Sequence, residues 1–462
     1  MFSITPEVLN DDRIGRALDA LAPELLGVVG SIGAQAITEF GVDVGRIHWD
    51  MTSISLYDAY RSPDHDYIEP RFGHLKDHRP DLLQIQAGLA VSADGGIPIW
   101  HRAYDGGAGE VAQVVPAMEA LSKLAGTRQF LMVGDSKLVS YTNLAAMIAA
   151  KVSFIAPASK NYVGAGVLAE CDFDAGVPVD YVAERDANKA EGKRGSYRVL
   201  EDTMVIQGKK KAEPDLHLRR VFVWSSARAG AAAKARAGAA AKARAKKLER
   251  ARGDLDRLGR GLGGRYYPTE KEVIERVAAI SRERRVKGSL RTTVSTDPVT
   301  AKPTLESHFD EVALSAEAST DGWYALLTNL GSEVSTAEVF YRYKGQEAPE
   351  RRYHNFKGPI AVAPMFLKNN RRIEALISVL CLALLIFSLV ERQVRLALSP
   401  AVKLAGLWAG QPAKPTGRLI FTALARLRLI PASATSPPEI PRPPPLQAQL
   451  LELLGVDPRR PR

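Results

Sequence analysis

Cysteine is almost absent: Cys171 and Cys381 are the only two, far apart in the chain. Two distant thiols build neither a disulfide framework nor a cysteine-based zinc site, and they suit a reducing cytoplasm. The opening residues, MFSITPEVLNDDRIG, have no basic start followed by an apolar run, so no secretory leader is expected. Long apolar runs are scarce as well. The one that mimics a membrane span, Ala375–Val390 (ALISVLCLALLIFSLV), has 16 residues and is flanked by Arg371, Arg372, Glu374, Glu391 and Arg392. That is short of the roughly 20 residues a helix needs to cross a bilayer. It reads as a buried core helix, and no membrane partner is expected; a membrane protein is a rival that rests on this run alone.

What is present is bulk, apolar content and positive charge. A chain of 462 residues is long for one compact domain and suggests two or three units. A hydrophobic share of 46% is enough to bury a core and excludes wholesale disorder. The net charge of +10 attracts polyanions, meaning nucleic acid or an anionic surface, without choosing between them.

Residues 1–40 carry helical spacing in Ile14, Leu18, Leu21 and Leu25. From residue 45 the pattern turns to strands. Gly45–Asp50 (GRIHWD) reads as a short strand ending in an acid. Leu82–Val91 and Ile97–Ala103 read as two more strands joined by the turn signal Asp94-Gly95-Gly96. Val111–Leu124 has helical spacing, Arg128–Gly134 is a buried-type strand with Asp135 at its end, Tyr141–Lys151 is a helix, and Val152–Ala156 is a strand. The order over 45–157 is therefore βββαβαβ, an α/β arrangement with a mixed sheet and helices on it. Residues 160–330 hold short strands, such as Tyr197–Ile206 and Arg219–Ser225, and an exact eight-residue repeat, ARAGAAAK, at 227–234 and 235–242. The basic face of that repeat could meet phosphates or simply be solvated. After 330 the chain returns to helix, and Ser436–Pro445 (SPPEIPRPPP) begins the approach to a flexible end.

Transfer of a phosphodiester needs divalent cations aimed at the attacking and leaving oxygens, and such cations prefer carboxylate ligands. The signature is two or three acids brought together by the fold. Asp50 lies in IHWDMTSIS, Asp135 in FLMVGDSKLVSYTNL, and Glu350 in YRYKGQEAPERRYHNFKGPI. Either aspartate alone is more often a turn former. Together, these three segments resemble the catalytic motifs of bacterial insertion-sequence transposases of the DDE type, in the "insertion sequence four" superfamily. The first motif is Asp50-Met51-Thr52-Ser53 and the second Asp135-Ser136. The third has its Tyr, Arg, Glu and Lys spacing filled by Tyr343, Gln346, Glu350 and Lys357. Arg79-Pro80-Asp81-Leu82, Asp321-Gly322 and Thr328-Asn329 add to the likeness, which covers about 10–398.

The resemblance implies a ribonuclease-H-like mixed sheet with flanking helices, interrupted by a β-rich insertion. Its boundaries would be a short helical remnant of an N-terminal region at 1–40, catalytic core at 41–159 and 331–398, insertion at 160–330, and a flexible proline-rich tail at 399–462. It implies that Asp50, Asp135 and Glu350 bind two Mg²⁺ or Mn²⁺ ions and that Tyr343, Gln346 and Lys357 meet DNA. The partners would be transposon ends and target DNA, with a homodimer in the DNA complex compatible with that reading. The compartment would be a bacterial cytoplasm, at the nucleoid.

The chain also departs from the family's pattern. Gln346 stands where the motif has arginine, which removes a fixed charge and a bidentate fork. Pro349 directly precedes Glu350; either a helix begins there, or a helix running from about Ser335 is kinked. The family's end-binding helical domain is expected to be mostly missing. These departures keep open a truncated, catalytically impaired transposase remnant that only binds DNA. A further rival is a zinc hydrolase using His74, His78 and His101.

Overall fold

The computed structural model describes residues 8–57, 64–73, 81–159, 162–163, 167–168, 171–183, 186–187, 189–226, 239–319, 322–345, 347–358, 360, 365, 367–399, 402–433 and 437–461. The protein is mixed α/β and divides into two compact units. The first comprises 1–156, 208–216 and 342–462, and the second 157–207 and 217–341.

Unit one begins with helices α1 (Asp11–Leu21) and α2 (Leu25–Glu39), followed by β1 (Arg46–Leu56), β2 (Leu83–Ser92) and β3 (Pro98–Tyr104). Then come α3 (Glu110–Ala125), β4 (Leu131–Val133), α4 (Tyr141–Ala149) and β5 (Ser153–Pro157). The strands lie in the order β3-β2-β1-β4-β5. β1, β2 and β3 pair antiparallel, while β4 runs parallel to β1 and β5 parallel to β4. The βββαβαβ order read from the sequence is the one observed. One boundary differs: β1 does not stop at Asp50 but runs six residues further, to Leu56. Its continuation MTSISL is almost wholly buried, and β2 pairs with it along its full length. The turn between β2 and β3 places Gly95 and Gly96 at φ +77° and +64°, a region glycine enters without steric cost.

Unit two contains β6 (Val177–Val179), β7 (Tyr197–Ile206), β8 (Leu216–Ser225), α5 (Ala239–Gly259), α6 (Glu270–Glu283), β9 (Leu290–Thr296), β10 (Pro303–Phe309), α7 (Glu311–Ser319) and β11 (Trp323–Thr328). Its sheet strands follow the order β11-β8-β7-β6, and β9 with β10 forms a separate hairpin. This hairpin and helices α5 and α6 share a core of their own, built on Ala251, Leu255, Leu258, Val273, Val277, Ile280, Val286 and Leu290. The segment expected to be β-rich therefore holds helices as well as strands. Of the ARAGAAAK repeat, 227–238 lies outside the described residues, and its last residues open α5.

The chain leaves this unit along α8 (Thr336–Lys344) and re-enters unit one through α9 (Glu347–Lys357) and α10 (Asn370–Leu396). Helix α10 extends the apolar run in both directions. Among the described helices it is the single one long and apolar enough by itself to cross a membrane, and 56% of its most apolar window is buried inside the fold. Its Ile373, Ile377, Cys381 and Leu384 pack with Ile54, Leu56, Ile85 and Leu89 of the sheet and with Tyr353 and Phe356 of α9. Among the described residues, the end of the chain holds regular elements as well as proline-rich connections. β12 (Leu404–Trp408), β13 (Gln411–Ala413), α11 (Gly417–Leu424) and α12 (Pro445–Leu453) follow α10. Leu404, Leu407, Ile420 and Leu450 form a small core with Val394 of α10. The prolines punctuate the connections and leave the apolar positions free to pack.

Three charged groups tie these elements. Buried Arg352 of α9 donates from Nε to the Gly96 carbonyl at 2.7 Å and pairs with buried Glu391 of α10 at 3.2 Å. Glu391 also takes the Gly417 amide at 3.0 Å and pairs with Arg395 at 2.7 Å. Removing Arg352 leaves Glu391 its bonds to Arg395 and the Gly417 amide but strands the Gly95 and Gly96 carbonyls without this donor. Arg352→Leu is therefore expected to lower the unfolding free energy by about 1–3 kcal/mol, measured by urea denaturation. A loss within about 0.5 kcal/mol, the usual range for surface substitutions, would show that Arg352 holds nothing in place.

Candidate active site

Asp50 sits in the middle of β1, opposite Leu89 of β2. Asp135 lies two residues past the end of β4, where its carboxylate accepts from the Lys137 amide at 2.9 Å and caps a short 3-10 turn. Both side chains are half-buried. The parallel register pairs Arg46 with Leu131, Ile47 with Met132 and His48 with Val133. The pairing ends there; Asp50 is two residues further along β1, and Asp135 is two residues past the end of β4. A Cβ on Gly134 would stand 3.6 Å from the Trp49 carbonyl, so the strands remain close at that step. Neighbouring strands lie about 4.8 Å apart, and residues at one level share a face. Asp50 and Asp135 thus lie two residues beyond the last paired positions of neighbouring strands, at equal distance along the chain.

The face of β1 that bears Asp50 is the one α9 covers. Alternation along β1 puts Asp50 with Ile54 and Leu56, and these two belong to the same core cluster as Tyr353 and Phe356. Pro349, Arg352, Tyr353 and Phe356 are the buried positions of α9, at helical spacing. The Tyr353 hydroxyl donates to the Asp50 carbonyl at 2.6 Å and lies 3.1 Å from the Ala87 carbonyl. Burial, and then the nearby Asp50 charge, push the phenol pKa well above its ordinary value, so it remains a donor. Just before α9, Gly345 passes over His48, where a Cβ would stand 2.8 Å from Nε2.

Glu350 lies one helical turn before Tyr353 and is exposed. Lys357 is half-buried and, at seven residues from Glu350, projects from the same edge of α9. Tyr343 is in the last turn of the preceding helix, α8, half-buried. Gln346 lies outside the described residues. The helix does not run through from Ser335: it stops at Lys344, and α9 begins at Glu347. Pro349 is the third residue of α9, in a first turn whose amides have no partner within the helix. It therefore breaks nothing. The structure places Asp50 on β1 and Asp135 two residues past the end of β4, the neighbouring strand, and packs α9 on the Asp50 face, but it divides Tyr343 from Glu350 and Lys357 by a helix break.

Among the described residues, no group of three or more His, Cys, Asp or Glu side chains is placed to hold a metal ion. Two half-buried carboxylates, one on β1 and one just past β4, suit a hard divalent cation by donor chemistry, and a third ligand would have to come from Glu350 on α9. The zinc alternative cannot be followed at His74 and His78, which lie outside the described residues. His101 is on β3, in a small pocket lined by Val29, Gly33, Ile99, Trp100, Cys381 and Leu385 among others. Its neighbours there are apolar apart from Cys381, and none is an acid. Burial lowers its pKa to about 4.

Arg352, Tyr353, Gly345 and His48 were not singled out from the sequence. The signal for the first two was available in the spacing of 349, 352, 353 and 356. Nothing marked Gly345 or His48. The chain matches no protein-family model and no curated protein, so the likeness drawn from the motifs stands on the residues themselves.

Above its unfolded pKa of about 6.5 a histidine is neutral in both states and adds nothing that depends on pH. Between about 6.5 and 4 the unfolded chain binds the extra proton, so stability falls as pH falls. From pH 7 to 5 this costs the fold at most about 2 kcal/mol, because the ring is half-buried rather than fully enclosed. The urea midpoint should drop across that window, and His101→Gln should remove most of the drop. A wild-type midpoint that stays flat from pH 7 to 5 would show the ring to be solvated or protonated in the folded chain.

Proposed function

We propose that unit one is a ribonuclease-H-like catalytic core and that the chain is a transposase, cutting and joining DNA strands at insertion-sequence ends by phosphodiester transfer. The observation that carries this reading is the placement of Asp50 and Asp135 just beyond the pairing of neighbouring strands, with the helix of Glu350 packed on the Asp50 face. The strand order β3-β2-β1-β4-β5, with three antiparallel strands followed by two parallel ones, supports it. Two Mg²⁺ or Mn²⁺ ions bound by these carboxylates would activate the attacking water or 3′-hydroxyl and stabilise the leaving oxygen.

The chain's own groups divide the remaining work. Asp50 offers carboxylate oxygens from a strand and Asp135 from the turn that follows β4, and Glu350 approaches from α9. Tyr353 ties α9 to the main chain of Asp50 itself, so it acts as a positioning residue for Glu350. Lys357, on the Glu350 edge, is a point charge for a phosphate near the cut. Tyr343 would meet the DNA backbone from α8, and residue 346 is a glutamine that can offer only neutral hydrogen bonds. The partners of this reading are element ends and target DNA, and the compartment is the cytoplasm.

The remnant reading, DNA binding without cleavage, is favoured by the helix break at Gly345. A single continuous helix would carry Tyr343, residue 346, Glu350 and Lys357 along one side, whereas here Tyr343 belongs to a different helix. Nicking of a duplex bearing the element ends, in Mg²⁺, separates the two readings. Asp50→Asn and Asp135→Asn should each lower nicking by at least about 100-fold with duplex affinity intact, because affinity comes chiefly from Lys and Arg contacts to phosphate. Tyr353→Phe should lower the nicking rate by on the order of 10-fold, again without loss of affinity. A wild-type chain that binds but never nicks would establish the remnant. Nicking that survives both aspartate changes would overturn the site.

A further inference from the structure

Positive charge is concentrated in one part of unit two. From the start of α5 to the end of β10, residues 239–309 hold 17 Lys and Arg against 9 Asp and Glu, a balance of +8 in a chain of +10. The charge is not spread evenly around α5. At 100° per residue, Lys246, Arg250, Gly253, Arg257 and Arg260 fall within an arc of about 80°, and all five are exposed. Leu248, Ala251, Leu255 and Leu258 fall on the opposite side and are committed to the core shared with α6 and the β9–β10 hairpin. From Lys246 to Arg260 the stripe rises about 21 Å, or about six base pairs of duplex.

Two details make this more than a solvated face. The buried acid on α5, Asp254, is already engaged by Arg284 of α6 at 2.6 Å, and that ion pair lowers its pKa. Arg257 lies 3.7 Å from Asp254 yet remains 75% exposed, so its guanidinium is available to another anion. Gly253, in the middle of the stripe, costs a helix about 1 kcal/mol relative to alanine. A Cβ there would meet nothing, so internal packing does not require the glycine. What its missing side chain leaves is room for an approaching chain between the arginines.

We propose that this stripe of α5 is a binding surface for the phosphate backbone of duplex DNA, separate from the carboxylate site of unit one. Arginine forks suit phosphate oxygens, and a rigid helix presents them at fixed spacing. An anionic membrane fits less well. Helices that lie in a bilayer interface insert an apolar face, and the apolar face of α5 is occupied by its own core. Glu249 and Asp256 border one edge of the stripe, so the backbone runs along the other. The choice of DNA over RNA rests on the phosphodiester-transfer reading, while the stripe itself does not.

The test is equilibrium binding of the full chain to a 30-base-pair duplex of arbitrary sequence, titrated with salt in EDTA so that no cutting contributes. Replacing Lys246, Arg250, Arg257 and Arg260 with Gln together should flatten the log–log salt dependence by about 3.6, at about 0.9 per lost phosphate contact. Glu249→Gln with Asp256→Asn should tighten binding several-fold. Lys271→Gln with Lys302→Gln, elsewhere in the same unit, should change the slope by less than half as much. An unchanged slope in the fourfold variant overturns the proposal, as does an equal loss in the Lys271 and Lys302 variant. Preferential binding to anionic phospholipid vesicles over the duplex also overturns it. Failure here leaves the nicking experiment untouched, and failure of nicking leaves this one readable.

Discussion

A buried guanidinium fixes where α9 lies, and the relation of Glu350 to the two aspartates follows from it. Arg352 has left water almost completely, and burial lowers its pKa in spite of the Glu391 charge beside it. Such a group is tolerated only where its donors are met. They are met by the Gly95 and Gly96 carbonyls of the β2–β3 turn and by Glu391 on α10. The turn can offer those carbonyls because both glycines occupy the left-handed region. Tyr353, the next residue, adds a bond to the main chain of Asp50. One helical turn of α9 therefore ties together the hairpin, the long helix and the strand bearing the first candidate ligand. Sliding α9 by a residue would leave a buried arginine without its carbonyl and carboxylate partners, and that cost specifies its register.

Much of unit one was legible in the sequence because its strands are short apolar runs closed by turn residues, and periodicity reports those well. The hairpin at Asp94-Gly95-Gly96 and the helix containing Ala375–Val390 are examples. Asp50 was harder. An acid after GRIHW reads as the end of a strand, and only pairing with β2 along ten residues carries β1 on to Leu56. Tertiary pairing overrides a local polar signal, and no local pattern records it. The proline-rich end hid a second signal: Leu404, Leu407, Ile420 and Leu450 pack in one apolar cluster with Val394 of α10.

The candidate site was legible as three acids and invisible as a mechanical assembly. Motif spacing pointed to Asp50, Asp135 and Glu350 but said nothing of Tyr353 or Arg352, whose importance comes from what they touch. The basic content of residues 227–260 was also plain, yet it could not be told from a solvated helix. What separates the two readings is direction: Lys246, Arg250, Arg257 and Arg260 share one side of α5 and the leucines take the other.

Pro349 shows why composition alone misleads at such a site. Within a helix running from Ser335 it would remove an amide bond and force a kink, costing about 3 kcal/mol or more. At the third position of a helix starting at Glu347 it removes nothing, because that amide would have had no partner within the helix. Its ring is buried, on the same side of α9 as Arg352 and Phe356. Glu350 then stands in the first turn, where the helix dipole favours a carboxylate. The proline and the break at Gly345 are thus parts of one arrangement. Gly345 passes close over His48 where no side chain would fit, the chain turns, and α9 restarts with its acid at the positive end. A helix that restarts can aim Glu350 independently of α8, and this makes the break compatible with a working carboxylate site as well as with a remnant.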